Sequence, residues 1–480
     1  MIKTISFITA LIVLMVIGFF YREPLLEAYQ THLTPNELVI TLNTPATDLS
    51  PYSLNANNLT RTANIYEGLV QFDSNLKVVP ALALSWGNLD PTTWEFKLRK
   101  SVLFHDGTVF NAQSVVRSLE DARRYGGSEI KNLLKGVAKI EIMDDTTIQL
   151  ITQEPDPLIL SKLTKFHIHH GDRVGTGPYT FQGWRKGWEL KLRAFDHYWG
   201  KAPDFARVRY EVITSKQKRK QLFDEGKTDI LVAVPRDQAL ILPETELKKS
   251  YNLEVNFLMF QLNNPLLTRE NREAIRQLID PEKLVEIGNF FVRPASQLVA
   301  PGVFGYNPDL PFFTYDESAV KRYLFGDVRE KITLDYLSTY RTLSDYLRLQ
   351  LQEAGFAVKN NPVSPEELLA RIQNQESALF VIGWQFEDGD AGSFFDAFIH
   401  SKGEFNNGRY SNPEVDALIE ASRSEIDREK RLAMLREVSK RVNDDLIAIP
   451  LFESTRLYAV QKKLEWEPRL DGLVLAKEVR

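Results

Sequence analysis

Three carboxylates and a tryptophan follow directly on an apolar segment in the last quarter of the chain. Residues 378–383 are apolar, and Trp384, Glu387, Asp388 and Asp390 come immediately after them. Carboxylates grouped at the end of a buried strand indicate a ligand site, and Glu387 with Asp390 could also act as a general acid/base pair in a hydrolase. The alternative is a solvated turn, because Asp-Gly-Asp is ordinary turn sequence. Residues 387–390 are called the acidic loop below.

The segments upstream of the acidic loop predict a βαβαβ unit. Residues 332–336, 356–358 and 378–383 have strand patterns, and residues 343–354 have the apolar spacing of a helix. A second helix is predicted to begin after Ser364, which can cap it and is followed by Pro and two Glu. In open parallel sheets, ligands bind beyond the carboxyl ends of the strands. The acidic loop is therefore predicted to lie at a ligand-binding edge.

Composition narrows the class of protein. The chain has 480 residues, 43% of them hydrophobic, with a net charge of -5 and no Cys. This length predicts more than one lobe, each with its own core. The negative net charge argues against nucleic-acid binding. The lack of Cys excludes disulfides, thiolate catalysis and cysteine zinc sites.

An uncharged apolar segment near the N-terminus predicts export. Residues 5–20 contain no charge and are flanked by Lys3 and Arg22. No small-residue cleavage triplet ends the segment, so residues 1–22 are predicted to form an uncleaved membrane anchor that leaves the rest of the chain outside the cytoplasm. The alternative is a cleaved signal and a periplasmic or secreted protein.

A change of pattern divides the remaining chain into two lobes. Short alternating strands dominate up to about Val255, whereas helix pairs and the βαβαβ unit follow. We expect lobe I to span residues 36–256, completed by residues 457–480, and lobe II to span residues 257–456. Crossover strands near residues 255–261 and 457–460 are predicted to join them.

A series of short motifs follows in order along the chain. They are residues 65–70 (IYEGLV), 78–86 (VVPALALSW), 93–99 (TWEFKLR), 102–110 (VLFHDGTVF), 175–179 (GTGPY), 198–200 (YWG), 315–316 (YD), 350–355 (QLQEAG) and 412–416 (NPEVD). In this order and spacing the chain, from about Leu38 to the C-terminus, resembles a known family, the extracytoplasmic solute-binding proteins of ABC importers for dipeptides, oligopeptides and nickel chelates.

The resemblance implies a fold and a role. It implies a two-lobed α/β periplasmic-binding-protein-like fold of the large, cluster C type, whose lobes close about hinge strands. It implies a monomeric receptor that needs no cofactor and captures a peptide or peptide-like solute for an ABC permease, without chemistry on the ligand. A nickel-chelate, haem or opine-type solute, a sensory role and a carboxylate-pair hydrolase remain alternatives.

The resemblance also assigns roles to the acidic loop. In the peptide-binding members, an acidic residue three positions after a Trp pairs with the peptide's α-amino group, which here is Glu387 after Trp384. Asp388 and Asp390 are expected to support Glu387 in this role, and Trp384 is expected to supply an apolar wall for the ligand. The chain has Glu instead of the commoner Asp and has no Pro after Asp390. The amino contact could therefore shift to Asp388, or the ligand could differ from a standard peptide. Arg341 is the candidate for the ligand's carboxylate.

Other chemically suggestive residues favour structural roles. His105-Asp106 lacks a nucleophile motif, and Asp106-Gly107 is typical of a turn. The Gly-Thr-Gly at residues 175–177 has no following Lys, so it does not predict a phosphate loop. The cluster of His167, His169, His170 and Asp172 lacks helical metal-ligand spacing, and no metal site is predicted.

Overall fold

The computed structural model describes residues 36–288, 291–316, 318, 331–353, 355–386 and 388–480. The predicted N-terminal anchor and Glu387 lie outside these residues. Within the described ranges, no helix combines the length and the apolar character needed to cross a membrane.

Strands and helices alternate along the described chain. The strands are β1 (Glu37–Leu42), β2 (Val70–Phe72), β3 (Val78–Pro80), β4 (Ala83–Asp90), β5 (Thr93–Leu98), β6 (Val137–Asp144), β7 (Thr147–Thr152), β8 (Tyr179–Arg185), β9 (Glu189–Ala194), β10 (Arg207–Val212), β11 (Ile230–Val232), β12 (Leu247–Phe260), β13 (Val292–Pro294), β14 (Lys331–Leu337), β15 (Ala357–Val363), β16 (Leu379–Gln385) and β17 (Ala448–Val460). The helices are α1 (Ala56–Thr62), α2 (Ala112–Tyr125), α3 (Ser128–Leu133), α4 (Ile159–Leu163), α5 (Lys216–Asp224), α6 (Arg236–Ala239), α7 (Arg269–Gln277), α8 (Pro281–Ile287), α9 (Arg341–Glu353), α10 (Pro365–Gln373), α11 (Gly392–Phe394), α12 (Pro413–Ser422) and α13 (Arg428–Asp444).

One mixed sheet of eleven strands runs through the molecule. Its order is β15-β14-β16-β12-β17-β11-β1-β10-β9-β8, with β13 paired to β17 outside this path. A separate antiparallel sheet has the order β4-β5-β7-β6, and α2 packs beneath it through Val115 and Leu119, which are buried. The predicted cap of α2 is confirmed, because the Asn111 side chain accepts from the Ser114 N–H.

The predicted βαβαβ unit is confirmed. Strand β14 pairs in parallel with both β15 and β16, and α9 and α10 connect them. Ser364 caps α10 by accepting from the Glu367 N–H, and Pro365 occupies the first helical position, where its missing N–H removes no helical bond. The carboxyl ends of β14 and β16 lie at the same edge of the sheet. That edge carries Arg341 and the acidic loop.

Two long antiparallel strands connect the halves of the large sheet. The predicted crossovers near residues 255–261 and 457–460 are parts of β12 and β17. Near one end of this pair, β17 also pairs with β11, and near the other end β12 pairs with β16. Between these ends the register shifts from Tyr251 to Val255, and Leu253 has a φ of 55°. The bulge breaks the ladder at the point where the chain passes from one half to the other.

Apolar residues cover both faces of β12 and β16. Val255, Phe257 and Phe380 belong to one core, together with Phe394 and Phe398 from the segment after the acidic loop. Leu258 and Val381 belong to a second core on the opposite face, which α9 completes. Because residues 257–260 and 379–381 are buried on both sides, these parts of the two strands are continuous apolar runs in the sequence.

Candidate functional site

Trp384 lies in the last part of β16, pointing toward the aromatic core. Its ring centroid is 5.0 Å from that of Phe398 and 5.7 Å from that of Phe394, and its side chain is half-buried. The indole N–H is buried and has no hydrogen-bond partner among the described residues. Trp384 therefore joins the acidic loop to the core and leaves one buried donor unpaired.

Asp390 is held by a buried arginine. Its two carboxylate oxygens accept from Arg431 Nη1 at 2.6 Å and Nη2 at 2.8 Å, and one also accepts from the Gly392 N–H at 2.8 Å. Asp390 and Arg431 are each only 5% exposed. With both oxygens engaged, Asp390 serves to position the acidic loop.

Asp388 lies at a more open place in the acidic loop. It is half-buried, and its Oδ2 accepts from Ser393 Oγ at 3.2 Å. Gly389, with a φ of 65°, turns the backbone beside it, and a Cβ atom there would lie 3.1 Å from the side chain of Leu76. The acidic loop thus touches the β2–β3 turn of the N-terminal half.

Arg341 begins α9 at the end of β14, and its side chain is exposed. Since β14 and β16 are parallel neighbours, with Asp335 opposite Phe380, Arg341 and the acidic loop follow adjacent strands. Within the described part of the chain, no ion pair or hydrogen bond joins the Arg341 side chain to Asp388 or Asp390.

Three polar residues beside this edge were missed by the sequence reasoning. Tyr340 Oη donates to Asn256 Oδ1 at 2.6 Å, and burial, with a further contribution from the charge of Glu254, raises the pKa of Tyr340 to about 12. Glu254 lies opposite Gln385 in the β12–β16 ladder, and Asn256 lies opposite Gly383. The sequence did carry a signal, because both polar residues interrupt the apolar strand β12.

Gly383 makes room for these polar side chains. A Cβ atom at this position would lie 2.7 Å from Glu254 Oε1 and 2.9 Å from Asn256 Oδ1. A residue with a side chain would therefore displace them. Glu254, Asn256 and Tyr340 form a second polar group next to the acidic loop, on the other face of the sheet from Trp384.

A cavity lies between the N-terminal half and this sheet edge. It has about 1040 Å³ of empty space, including its open mouth. Its walls come from α1 and the segments around it, the segment after α4, the β12 bulge, the end of β16 and the C-terminal segment. The lining residues include Glu67, Lys165, His167, Phe386, Arg469, Asp471 and Lys477.

The histidines noted in the sequence have packing roles. Asp106 accepts from the Thr108 N–H at 3.0 Å and from His170 Nδ1 at 2.7 Å, and Gly107 has a φ of 85°, which confirms the predicted turn. His169 contacts Tyr52 Oη at 3.1 Å. Over the described residues, no group of three or more His, Cys, Asp or Glu side chains is placed to hold a metal ion.

Comparison with known families decides the class of protein. The model of the bacterial extracellular solute-binding proteins, family 5 (middle region), matches residues 77–406. The chain belongs to this family. It is therefore a solute-binding protein that acts outside the cytoplasm, as the sequence motifs predicted.

Individual relatives match over nearly the whole chain. The glutathione-binding protein GsiB of Pectobacterium atrosepticum is 24% identical over 472 residues, which cover 89% of this chain and 90% of that protein. The unliganded open form of the periplasmic murein tripeptide binding protein MppA has a TM-score of 0.83 at 18% identity, covering 92% of this chain and 97% of its own. A nickel ABC transporter structure from Bacillus halodurans has a TM-score of 0.83 at 22% identity, covering 93% of this chain and 100% of its own. These structural likenesses confirm the predicted two-lobed α/β fold.

Proposed function

We propose that this protein captures a peptide or peptide-like solute between two lobes and delivers it to an ABC permease. The observation that supports this proposal is the cavity. Its walls combine residues 54–76 and 469–477 with Gln385 and Phe386, next to the acidic loop. The cavity has an open mouth, so a solute can enter it from the solvent. In this proposal the ligand leaves unchanged, without a chemical step.

The proposed lobes are residues 36–256 with 457–480, and residues 257–456. The sheet topology supports this division, because the strand pair β12 and β17 runs continuously from the β11 side to the β16 side. The register shift at Leu253 supplies a bend in that pair. In hinge closure, the backbone dihedral angles change at only a few such residues, and each lobe keeps its own packing.

The ligand's ammonium group is proposed to lie against the acidic loop. Glu387, which lies outside the described residues, takes this role from the family resemblance, and Asp388 is half-buried beside it. Asp390, paired with Arg431, holds the backbone of the loop in place. A fixed carboxylate favours an ammonium that leaves water, whereas an unpaired buried charge is costly. Trp384 supports the loop from the core side, and Arg341 remains a candidate partner for an anionic end.

The names of relatives agree with a peptide-like ligand. GsiB is a glutathione-binding protein and MppA is a murein tripeptide binding protein. Both ligands are short peptides, so peptides with a free amino group are the first class to test. The predicted N-terminal segment would anchor the receptor to the outer face of the membrane.

The proposal is tested by identifying the small molecule that co-purifies with the protein. Full-length protein is purified without added ligand, its intact complex is weighed by native mass spectrometry, and the released small molecules are analysed after denaturation. A co-purifying peptide, recovered unchanged, is expected. Co-purified nickel, haem or an opine would replace the peptide proposal, and recovery of hydrolysis products from an added peptide would contradict the receptor role.

A further inference from the structure

One end of the N-terminal half of the large sheet carries exposed apolar and basic residues that solute capture does not use. Strands β10 and β11 both run parallel to β1, and β9 is antiparallel to β10. The β8–β9 turn and the carboxyl ends of β10 and β11 therefore lie at the same end of these strands. Three segments follow from it: residues 184–188, the first turn of α5, and residues 240–241 after α6. Together they are called the basic-aromatic surface below.

Hydrogen bonds connect the three segments of the basic-aromatic surface. The Trp188 carbonyl accepts from the N–H of Val212, the last residue of β10, at 2.8 Å. Four residues later, the Lys216 carbonyl in the first turn of α5 accepts from Gln238 Nε2 at 3.3 Å. Gln238 lies on α6, two residues before Leu240. The β8–β9 turn, the start of α5 and residues 240–241 are therefore neighbours in space.

The basic-aromatic surface exposes large apolar side chains. Trp188 is 63% exposed, Leu240 is 56% exposed and Ile241 is 71% exposed. Tryptophan is highly buried on average in folded proteins, and single exposed apolar residues are common, whereas grouped ones mark interaction sites. Three such residues on connected segments therefore indicate a surface that is covered by a partner.

The basic residues of this surface have no acidic partner. Arg185, Lys186 and Lys218 are exposed, and none of them forms an ion pair with any residue that the structure describes. The Arg185 guanidinium lies 5.4 Å from the ring centroid of Trp188, and Lys186 Nζ lies 5.9 Å from that of Trp184. The turn thus presents two cations beside two indole rings.

The acidic residues of the same elements are almost all paired. Glu189 pairs with Lys191 at 3.4 Å, and Asp237 pairs with Lys216 at 3.7 Å. The other acidic residues that form ion pairs are Glu211, Asp224, Glu225 and Glu246. Glu244 forms no ion pair within the described ranges. Three unpaired cations against one unpaired carboxylate leave the surface positive, on a chain whose net charge is -5.

We infer that the basic-aromatic surface lies on a membrane surface that carries anionic phospholipids. Indole rings and the stems of Arg and Lys settle at the boundary between headgroups and acyl chains, while the cationic groups meet the phosphates. Exposed aliphatic residues such as Leu240 and Ile241 add apolar area at the same depth. Lipid phosphates are spread over an area and require no fixed partner geometry, which suits cations on flexible side chains at a turn and a helix start.

This contact goes beyond solute capture, which does not depend on it. It would hold the receptor in one orientation on the membrane that contains the permease.

The experiment places a fluorescent reporter on this surface. Because the chain has no Cys, full-length Gln217→Cys can be labelled at one position with the polarity-sensitive fluorophore nitrobenzoxadiazole. Gln217 is exposed in the first turn of α5 and is neither charged nor apolar. The labelled protein is reconstituted with vesicles of phosphatidylcholine, or of phosphatidylcholine and phosphatidylglycerol in equal parts. The control reporter is Ser85→Cys, at an exposed position on β4 of the separate sheet.

The expected result is a blue shift of the Gln217→Cys reporter on the anionic vesicles alone. High salt should reverse the shift, because it screens the charges. With Arg185→Gln and Lys186→Gln added, the ratio of docked to undocked protein should fall about five-fold for each charge removed. Trp188→Ser should lower the same ratio, since it removes the exposed indole ring.

A matched pair of substitutions controls for net charge. Lys97→Gln with Lys139→Gln removes two charges from the four-stranded sheet, where these lysines pair with Glu95 and Glu141. This variant should dock like wild type.

Two kinds of result would overturn the inference. Equal shifts on the two vesicle types, or an equal shift of the Ser85→Cys reporter, would show that docking is not specific to anionic lipid or to this surface. A Gln217→Cys reporter that stays in water on both vesicle types would exclude lipid contact and leave the surface to a protein partner. Peptide capture in the cavity is measured separately by calorimetry and stands in either case.

Discussion

Asp390 and Arg431 form a two-fold ion pair between the acidic loop and α13, with oxygen to nitrogen distances of 2.6 Å and 2.8 Å. Arg431 also donates through Nε to the Ser422 carbonyl at 3.0 Å, so its donors link the acidic loop to the end of α12. The guanidinium lies 5.4 Å from the ring centroid of Phe304. Asp390 is thereby held against α13, while Asp388 remains partly accessible.

Breaking this pair should destabilise the protein. Asp390→Asn removes the charge and leaves Arg431 buried without its counter-ion, which typically costs about 3–5 kcal/mol. Chemical denaturation followed by circular dichroism measures the free energy of unfolding. Asp396→Asn is the control, since its pair with Arg423 is largely exposed and contributes about 0–1 kcal/mol. Similar losses for both variants would contradict a special role for the buried pair.

Removing the charge of Glu387 should weaken binding of free-amino peptides. Glu387→Gln keeps the shape of the side chain but loses the charge-assisted contact, so affinity should fall about 10- to 100-fold. The N-acetylated form of the same peptide should be affected far less. Calorimetry measures both, and Asp106→Asn should leave both affinities unchanged because Asp106 belongs to a turn that does not line the cavity. Equal losses for the two peptides would show that the acidic loop does not bind the ammonium group and is a solvated turn.

Ligand binding should bring the lobes together. If β12 and β17 act as the hinge, each lobe keeps its internal packing and the whole molecule becomes more compact on closure. Small-angle scattering should then give a smaller radius of gyration with saturating peptide than without it. An unchanged radius, at a peptide concentration shown by calorimetry to saturate the protein, would speak against hinge closure.

Acidification should destabilise the fold through His167. Burial depresses its pKa to about 4, below the usual value of 6.5, so the unfolded state binds the proton first. Above about pH 6.5 the neutral His167 ring makes its full contribution to the free energy of unfolding. This contribution is lost as the pH falls toward 4, and the total loss is about 3 kcal/mol at most. Denaturation midpoints at pH 7 and pH 5 measure this.

The matching variants identify the group responsible. His167→Asn should lose less stability between pH 7 and pH 5 than wild type does. His197→Asn changes an exposed ring and should keep the wild-type pH dependence. A wild-type pH dependence in His167→Asn would assign the effect to other groups.

The N-terminal segment should keep the protein with the membrane. Residues 5–20 are uncharged and apolar and no Cys is present for lipid attachment. Intact-mass measurement after expression in a bacterial host with native export should therefore give a chain that retains this segment in the membrane fraction. A soluble chain that begins between residues 21 and 34 would show a cleaved signal instead.

Local sequence patterns were sufficient to predict the secondary structure and the class of protein. The alternation in β5 and β7, the cap at Asn111 and the Ser364-Pro365 start of α10 depend on neighbouring residues, so periodicity and capping chemistry predict them without knowledge of the fold. The βαβαβ unit followed from the same patterns. Its parallel pairing then placed the acidic loop and Arg341 at one edge of the sheet.

Contacts between distant segments were decided by the tertiary structure. The sequence alone determined that three carboxylates follow a buried strand, but not that Asp390 is bound by Arg431, 41 residues away. Nor could it show that Lys165 and Lys477 line the same cavity or that Glu254 lies beside Gly383. Such pairs depend on how whole elements pack and on which donors are already satisfied, because a carboxylate or an ammonium looks the same in the sequence whether it is paired or open to a ligand.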